Sequence, residues 1–348
     1  MSFDIQKLVR PHISDLQPYS SARDEFNPVE KEIVYLDANE NPYNNGVNRY
    51  PDPQQKKLKK VIAKRRGVTA NQLLLGNGSD EVLDLIFRAF CIPNQDKIIV
   101  MPPTYGMYKV LANINLITLI EVPLNNDFQL VTKDIFNQIS SQTKAIFLCS
   151  PNNPSGNSFR REDILTLLQN FNGLVVIDEA YIDFSAQKSL VSDLSSFPNL
   201  IITQTLSKAY GLAGIRLGIC IASEEIIDIL NKIKPPYNIN ALTQERAISV
   251  LEDFDTTQAQ IKQLLVERKD LFSQLQKISF VEKVYPSDAN FLLVQVDDAD
   301  KRYAQLIEND IVVRNRSKQM GCENCLRFSV GTPQENQILI ETLNRLSS

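Results

Sequence analysis

The segment from Thr203 to Gly218 reads Thr-Gln-Thr-Leu-Ser-Lys-Ala-Tyr-Gly-Leu-Ala-Gly-Ile-Arg-Leu-Gly. The apolar, β-branched run at residues 200–203 predicts a buried strand, which leads Lys208 into a glycine-interrupted turn. Arg216 follows between two glycines, whose missing side chains let an anion approach the backbone closely. An amine and an anion-binding guanidinium therefore share one short segment.

A second apolar run, at residues 173–177, predicts a strand that ends at Asp178. Ligands bind outside the carboxyl ends of strands in a parallel sheet, so Asp178 and Lys208 are expected to face one crevice. A lysine can bond covalently to an aldehyde, and an arginine can bind a phosphate through paired N–H groups. A carboxylate can keep a pyridinium nitrogen protonated. Together these groups predict a site for pyridoxal 5′-phosphate.

A glycine-rich turn predicts where the phosphate binds. The strand pattern 73–75 is followed by Gly76-Asn-Gly-Ser-Asp-Glu81 and then by apolar residues at helical spacing. A strand, small residues and a helix start together point free backbone N–H groups at an anion. A dinucleotide fingerprint would need a third small residue where Glu81 stands. The segment therefore predicts a phosphate cradle and not a dinucleotide site.

The order of these motifs resembles a known family. Asp178-Glu-Ala-Tyr181 followed by Ser207-Lys-Ala-Tyr-Gly-Leu-Ala-Gly-Ile-Arg216 is similar to the fold-type-I aminotransferases, and most similar to the histidinol-phosphate aminotransferases among them. The segment Ser150-Pro-Asn-Asn-Pro-Ser-Gly156 also matches that family, and the resemblance runs nearly end to end. It implies an α/β fold of type I: a large domain whose mainly parallel central sheet is flanked by helices, plus a smaller α+β domain.

The alternation of strand and helix patterns independently predicts a mainly parallel sheet wrapped by helices. Residues 1–33 are expected to form an N-terminal arm that joins the small domain, 34–236 the large cofactor-binding domain, and 237–348 the small domain. The boundary is placed at Pro235-Pro236, because paired prolines interrupt regular structure. A short strand is expected at Val34-Tyr-Leu36.

The resemblance assigns a role to each cofactor residue. Lys208 would bind the cofactor covalently and act as general base and acid, and Asp178 would pair with the ring nitrogen. Asn152 and Tyr181 would contact the phenolic oxygen. Tyr105 would lie on the ring face, although its pattern alone equally predicts a buried core tyrosine. The phosphate contacts are assigned to Gly78, Ser79, Ser207 or Thr205, Arg216 and Tyr50, and Asp80 matches the phosphate-binding loop of the family as a further cofactor residue.

Tyr50 would reach the cofactor of a second subunit from a proline-stiffened loop, which predicts a homodimer. The implied reaction in histidine biosynthesis transfers the amino group of histidinol phosphate to 2-oxoglutarate, giving imidazole acetol phosphate and glutamate. Substrate contacts are assigned to Tyr19, Asn39, Asn290, Arg314 and Arg327. One departure lies in the arm, where Ser20-Ser-Ala-Arg23 replaces the small-residue and glycine turn of many relatives.

The strand pattern around Arg327 is also informative without the family resemblance. It stands between Leu326 and Phe328 on a predicted strand, so it projects from a face opposite to theirs. An arginine on an otherwise apolar strand needs an anionic partner. That partner is either a carboxylate of the protein or the carboxylate or phosphate of a substrate.

Composition narrows the class of protein. The chain has 348 residues, 43% hydrophobic and 22% charged, with a net charge of −4, so ordinary globular structure is expected and binding to nucleic acid is not. The seven basic residues in 54–66 are interpreted as a solvated helix face.

No apolar run reaches the length of a bilayer, and the amino terminus lacks the pattern of a secretory signal, which predicts a cytoplasmic protein. The five scattered cysteines are expected to be reduced core thiols, and no metal site is expected.

Three alternatives remain open at this point. An aromatic-amino-acid aminotransferase or a threonine-phosphate decarboxylase would share the cofactor residues, so only the arm and the arginines discriminate between them. A noncatalytic regulatory module that binds pyridoxal phosphate would normally carry a DNA-binding segment. No room for such a segment is seen ahead of residue 34.

Overall fold

The computed structural model describes residues 3–19 and 34–347. Its strands are β1 Leu73–Asn77, β2 Lys97–Val100, β3 Thr118–Glu121, β4 Thr143–Cys149, β5 Leu174–Asp178, β6 Leu200–Thr205, β7 Leu217–Ala222, β8 Val281–Val284, β9 Phe291–Val296, β10 Arg314–Asn315 and β11 Cys325–Ser329. Its α-helices are α1 Pro11–Ser14, α2 Lys56–Arg66, α3 Ser79–Phe90, α4 Met107–Ile114, α5 Thr132–Asn137, α6 Arg161–Asn170, α7 Glu224–Ile233, α8 Ala241–Glu252, α9 Phe254–Leu275, α10 Ala299–Glu308 and α11 Pro333–Arg345.

Within the described residues the strands form two sheets. The larger has seven strands in the order β1-β7-β6-β5-β4-β2-β3, and only β7 runs antiparallel to its neighbours. The smaller has four antiparallel strands in the order β10-β11-β9-β8. The predicted α/β fold, with a mainly parallel sheet and a smaller α+β part, is confirmed. None of the helices in these ranges is both long and apolar enough to cross a bilayer.

The large sheet is buried on both faces, which explains its nearly continuous apolar strands. In β4, Ile146 and Leu148 point into a first core, together with apolar residues of α2, α6 and α8. Phe147 points to the other face and into a second core, with α3, α4 and α7. This alternation follows from the two-residue period of a strand. The five cysteines are also buried, as expected of core thiols.

The predicted domain bounds stay a prediction. Two helices beyond the predicted boundary, α8 and α9, also pack against the core of the large sheet. Helix α8, just beyond Pro235-Pro236, packs on α2 through Ala247 and Leu251 in the first core. A third core lies between the small sheet and the helices α9, α10 and α11. The long helix α9 reaches both cores, since Ile261 packs against the first and Leu275 lies in the third.

Two N-terminal segments have packing or backbone structure that the sequence did not predict. In the described part of the arm, Ile5, Val9 and Ile13 pack in the second core of the large sheet, where α1 contacts α7. The strand predicted at residues 34–36 is wrong, because this segment is irregular. Val34 and Leu36 are 80% and 88% exposed, and none of the strands described in residues 3–19 and 34–347 pairs with this segment.

A close backbone contact joins β1 to β7. Gly76 faces Gly218 in the strand register, and a Cβ at Gly218 would lie 2.3 Å from both the Gly78 carbonyl carbon and the Ser79 nitrogen. Gly78 has a φ of +82°, and a Cβ on it would lie 2.7 Å from Arg216 Nη2. Both positions therefore require glycine. The contact sets Arg216 beside the start of α3.

We predict that Gly218→Ala lowers the free energy of unfolding by about 1–3 kcal/mol, because the added methyl group forces the two backbones apart. Urea denaturation measures the change. Gly214→Ala is the matched control, since no atom lies within 4 Å of a Cβ built there. A Gly218→Ala protein as stable as Gly214→Ala would contradict the proposed constraint.

Candidate active site

A cleft opens at the carboxyl ends of β4, β5 and β6, beside the start of α3. Nine predicted cofactor residues lie on its walls: Ser79, Asp80, Tyr105, Asp178, Tyr181, Thr205, Ser207, Lys208 and Arg216. Four further residues line the cleft but were not predicted as site residues: Cys149, Asn153, Ala180 and Ala213.

Asp178 is a buried carboxylate at the end of β5. The Tyr108 hydroxyl donates to its Oδ2 at 3.0 Å, and the Ala180 N–H donates to its Oδ1 at 3.1 Å. Burial raises the pKa of Asp178 to about 6, and these two hydrogen bonds limit the rise. A buried carboxylate with neutral partners is suited to bind a cationic ring nitrogen.

Lys208 extends into the same cleft from the turn after β6. Its Nζ lies 5.8 Å from the centre of the Tyr181 ring. Partial burial, followed by the positive charge of Arg327, lowers the pKa of Lys208, although Asp178 opposes the shift. A lowered pKa increases the fraction of neutral amine, which is the form that attacks a carbonyl and accepts a proton.

The start of α3 lines the cleft where the sequence predicts an anion to bind. Ser79 is the first helical residue after Gly78, so the first N–H groups of the helix point outward without intrahelical partners. Arg216 has a left-handed φ of 53°, and its Nη2 lies 3.7 Å from Asp80 Oδ2. The Tyr105 hydroxyl donates to Asp80 Oδ1 at 3.0 Å. The Asp80 carboxylate thus orients these two side chains.

The two predicted hydroxyl ligands differ in their surroundings. Thr205 is buried, and its Oγ1 lies 3.1 Å from the carbonyl oxygen of Leu217 and accepts the Ser207 N–H at 3.1 Å. The Ser207 Oγ is half-buried and lies 3.0 Å from Thr205 Oγ1. Thr205 therefore shapes the turn, and Ser207 presents its hydroxyl to the cleft.

Asn153, and not Asn152, faces the cleft. Asn152 is fully buried, and its amide nitrogen donates to Pro103 O at 2.9 Å and to Ser155 Oγ at 2.7 Å. Asn153 lies in the lining, where its Oδ1 accepts from Arg327 Nη1 at 2.6 Å. The structure therefore does not bring Asn152 to the site, because its side chain holds the loop together.

Three arginines of the small sheet cluster near this cleft. Arg314 on β10 is paired in register with Arg327 on β11, and Arg316 follows β10 directly. Burial, and then the charges of Arg327 and Arg314, lowers the pKa of Arg316 to about 10. None of the three forms an ion pair with a carboxylate in residues 3–19 or 34–347. Such a cluster favours an anionic ligand.

The remaining predicted residues lie outside the cleft lining. Tyr19 is 71% exposed, and the altered turn that follows it, residues 20–23, falls outside the described residues. Asn39 and Tyr50 share a separate surface depression. Asn290 precedes β9 and is half-buried, and its carbonyl oxygen accepts the Val330 N–H.

A family model described as aminotransferase class I and II matches residues 31–343. The chain belongs to this family. It is 58% identical over 347 residues to the histidinol-phosphate aminotransferase of Flavobacterium johnsoniae, with 99% of each chain covered. The solved structure of the histidinol-phosphate aminotransferase from Clostridium acetobutylicum matches with a TM-score of 0.80 at 26% identity, covering 86% of this chain and 91% of that one. The enzyme from Sinorhizobium meliloti, solved in complex with pyridoxal-5′-phosphate, shares the fold with a TM-score of 0.78 at 22% identity, covering 86% and 83%.

In this aminotransferase, Tyr108 contacts Asp178, although the sequence analysis did not predict it as a site residue. Tyr108 is buried, donates to Asp178 and packs edge-on against Tyr105 with ring centres 5.6 Å apart. Burial raises the pKa of Tyr108, so the hydroxyl stays a donor. Its place three residues after Tyr105, where the sequence pattern opens a helix, was the available signal.

We predict that Asp178→Asn stabilises the ligand-free aminotransferase by about 1–3 kcal/mol above pH 6. The folded protein holds the Asp178 proton more tightly than the unfolded chain, because the pKa rises from 3.8 to about 6. Ionised Asp178 therefore weakens the fold above pH 6, and this penalty fades as the pH falls toward 4. Urea denaturation at several pH values measures the difference. A stability gain that does not shrink at low pH would contradict this account.

Proposed function

We propose that this aminotransferase binds pyridoxal 5′-phosphate and transfers the amino group of histidinol phosphate to 2-oxoglutarate. The observation that carries the proposal is the convergence of Lys208, Asp178 and Arg216 on one cleft. The identity of 58% over nearly the full length to a histidinol-phosphate aminotransferase supports the choice of substrate. The products would be imidazole acetol phosphate and glutamate.

The residues present fit this cofactor by charge and shape. Gly78 and Gly218 leave space for the backbone of α3 to approach a phosphate, and Arg216 stands beside them. Asp178 would hold the ring nitrogen, and the aromatic ring of Tyr105 would lie on the flat face of the cofactor. Asn153, which lines the cleft, would contact the phenolic oxygen together with Tyr181, in place of the predicted Asn152. When bound, the cofactor supplies an electron sink for the substrate Cα.

Lys208 would move the proton. Its Nζ would hold the cofactor and, when free, would act as the general base that accepts the proton from the substrate Cα and as the general acid that gives it back. The lowered pKa of Lys208 keeps part of the amine neutral for this step. Asp178, held by Tyr108 and the Ala180 N–H, would keep the ring nitrogen protonated throughout.

The arginines of the small sheet would bind the substrate anions. Histidinol phosphate carries a phosphate and 2-oxoglutarate carries two carboxylates, so one cationic site has to accept both. Arg327 and Arg314 face each other across β10 and β11, and Asn153 fixes the Arg327 guanidinium. Planar guanidinium groups bind both anions through paired hydrogen bonds. Tyr19, Asn39 and Asn290 stay predicted substrate contacts.

A homodimer would complete the site with Tyr50 of the partner subunit. In its own chain Tyr50 is 51% exposed and lines a depression outside the cleft. Val47 and Leu242 of the same depression are 54% and 64% exposed. Exposed apolar residues that cluster in this way mark an association surface.

We predict that the purified protein gains a visible absorbance band with pyridoxal phosphate and that Lys208→Ala lacks it. Single-turnover spectroscopy should show at least a tenfold preference for histidinol phosphate over phenylalanine, about 1.4 kcal/mol. A wild-type protein without the band would overturn the cofactor assignment. Preference for phenylalanine, or release of carbon dioxide from threonine phosphate, would instead overturn the substrate.

We also predict that co-expressed Lys208→Ala and Tyr50→Ala subunits recover activity. Each homodimer of these variants lacks one group at both sites, whereas a mixed dimer contains one site with both groups intact. Differently tagged subunits allow the mixed dimer to be isolated and assayed. A mixed dimer no more active than the two parents, or an active wild-type monomer by sedimentation, would contradict the shared site.

A further inference from the structure

The dipeptide Tyr237-Asn238, between α7 and α8, contacts two phosphate-binding elements. The Tyr237 ring stacks on Tyr50, with ring centres 4.5 Å apart and planes inclined by 23°. The Asn238 amide nitrogen lies 2.9 Å from Glu81 Oε2 and 2.9 Å from the carbonyl oxygen of Leu75. One short segment thus connects the residue proposed to serve the partner's site with the turn that forms the cradle in its own chain.

The contacts of the Asn238 amide nitrogen determine the shape of the cradle. Glu81 Oε2 accepts the Asn77 N–H at 2.5 Å as well as the Asn238 amide. Leu75 and Asn77 belong to the last residues of β1, and the turn at Gly78 follows them directly. Asn238 therefore holds both the end of the strand and the carboxylate that closes the turn. Removing it leaves the direction of the first N–H groups of α3 less well fixed.

The other end of the Asn238 side chain faces the loop that carries Tyr50. Gln55 Nε2 and Lys234 Nζ each lie 3.4 Å from Asn238 Oδ1. Both also donate to the carbonyl oxygen of Pro53, at 2.7 Å and 3.2 Å. The loop is thereby tied to the same asparagine that holds the cradle.

The backbone of the segment is strained in a way that favours a positional role. Tyr237 has a φ of 56°, in the left-handed region that residues other than glycine rarely adopt. Strain of this kind persists where surrounding contacts hold a residue in place, and it concentrates at functional sites. In this conformation the Tyr237 ring lies against Tyr50 while the Asn238 amide reaches Glu81.

We propose that Tyr237 and Asn238 are positioning residues for cofactor phosphates at two different sites. Asn238 acts on the site of its own subunit, through Glu81 and the turn at Gly78. Tyr237 acts on the other site of the dimer, because it holds the Tyr50 ring that extends across the interface. This inference rests on the proposed function and on its shared site. Neither residue touches the cofactor itself.

The role proposed for Asn238 is tested by comparing the binding of pyridoxal phosphate with that of pyridoxal, which lacks the phosphate. Asn238→Ala should raise the Kd for pyridoxal phosphate about tenfold and leave the Kd for pyridoxal unchanged, because only the phosphate contacts are disturbed. General damage to the fold would weaken binding of both compounds. An unchanged Kd for pyridoxal phosphate, or equal losses for both, would overturn the role of Asn238.

Asn336→Ala is the matched control. The Asn336 amide likewise donates to a glutamate, Glu267, at 3.0 Å and to a carbonyl oxygen, that of Gly331, at 3.1 Å. It lies on α11 and joins that helix to α9, outside the cleft lining. Its substitution should lower the free energy of unfolding as Asn238→Ala does, without changing the Kd for pyridoxal phosphate.

The role proposed for Tyr237 is tested in mixed dimers in which only one of the two chains retains Lys208. Tyr237→Ala placed on the Lys208→Ala chain should raise the Kd at the remaining Lys208 about tenfold, because the Tyr50 that serves this site has lost its support. The same substitution on the chain that keeps Lys208 should leave that Kd unchanged. Tyr237→Phe preserves the stacked ring and should behave as wild type in both arrangements.

The outcomes separate this inference from the function on which it rests. Equal effects of Tyr237→Ala in both arrangements, or none in either, would overturn the role of Tyr237 while wild-type binding upholds the proposed function. A wild-type protein that does not bind pyridoxal phosphate would overturn the proposed function and the inference together.

Discussion

The backbone contact of Gly218 with Gly78 and Ser79 is the constraint on which the candidate site depends. Because β7 runs against its neighbours, it begins at the edge where β1 and β6 end. The residue just before β7, Arg216, is thereby brought to the carboxyl edge of the sheet, beside the first N–H groups of α3. A side chain at position 218 would separate these elements. The absence of a side chain at this position thus allows the guanidinium and the helix start to come together.

The charges in the cleft are arranged for ligands rather than for the stability of the protein alone. The pKa of Asp178 is raised, and the pKa values of Lys208 and Arg316 are lowered, so each shift disfavours the charged form. Opposite charges supplied by ligands would reverse these penalties: a cationic ring nitrogen at Asp178 and anions at the arginines. Charged groups that lower the stability of the ligand-free protein but bind its ligands are an expected compromise between stability and activity.

The sequence was informative where local pattern and topology agreed. Strand periodicity and the rule that ligands bind at carboxyl strand ends were sufficient to bring Asp178 and Lys208 together. The motif predicted Asn152, whereas Asn153 lines the cleft, because a motif does not state which of two consecutive side chains faces a cleft. The strand expected at residues 34–36 was wrong because strand formation needs a partner, which no local pattern supplies. Tyr108 was missed because its role is a contact to a residue 70 positions away.

The pairing of Arg314 with Arg327 is an argument for an anionic ligand at the small sheet. Like charges directly opposite on neighbouring strands destabilise a sheet. No carboxylate within residues 3–19 or 34–347 forms an ion pair with either arginine, so none of these residues offsets the repulsion. The Arg327 guanidinium is instead oriented by Asn153, which lies in the loop after β4 of the large sheet. An anion bound between the arginines would relieve the repulsion and, through Arg327 and Asn153, strengthen the connection between the two sheets. A substrate anion bound at this pair of side chains would therefore couple substrate binding to the relative placement of the sheets.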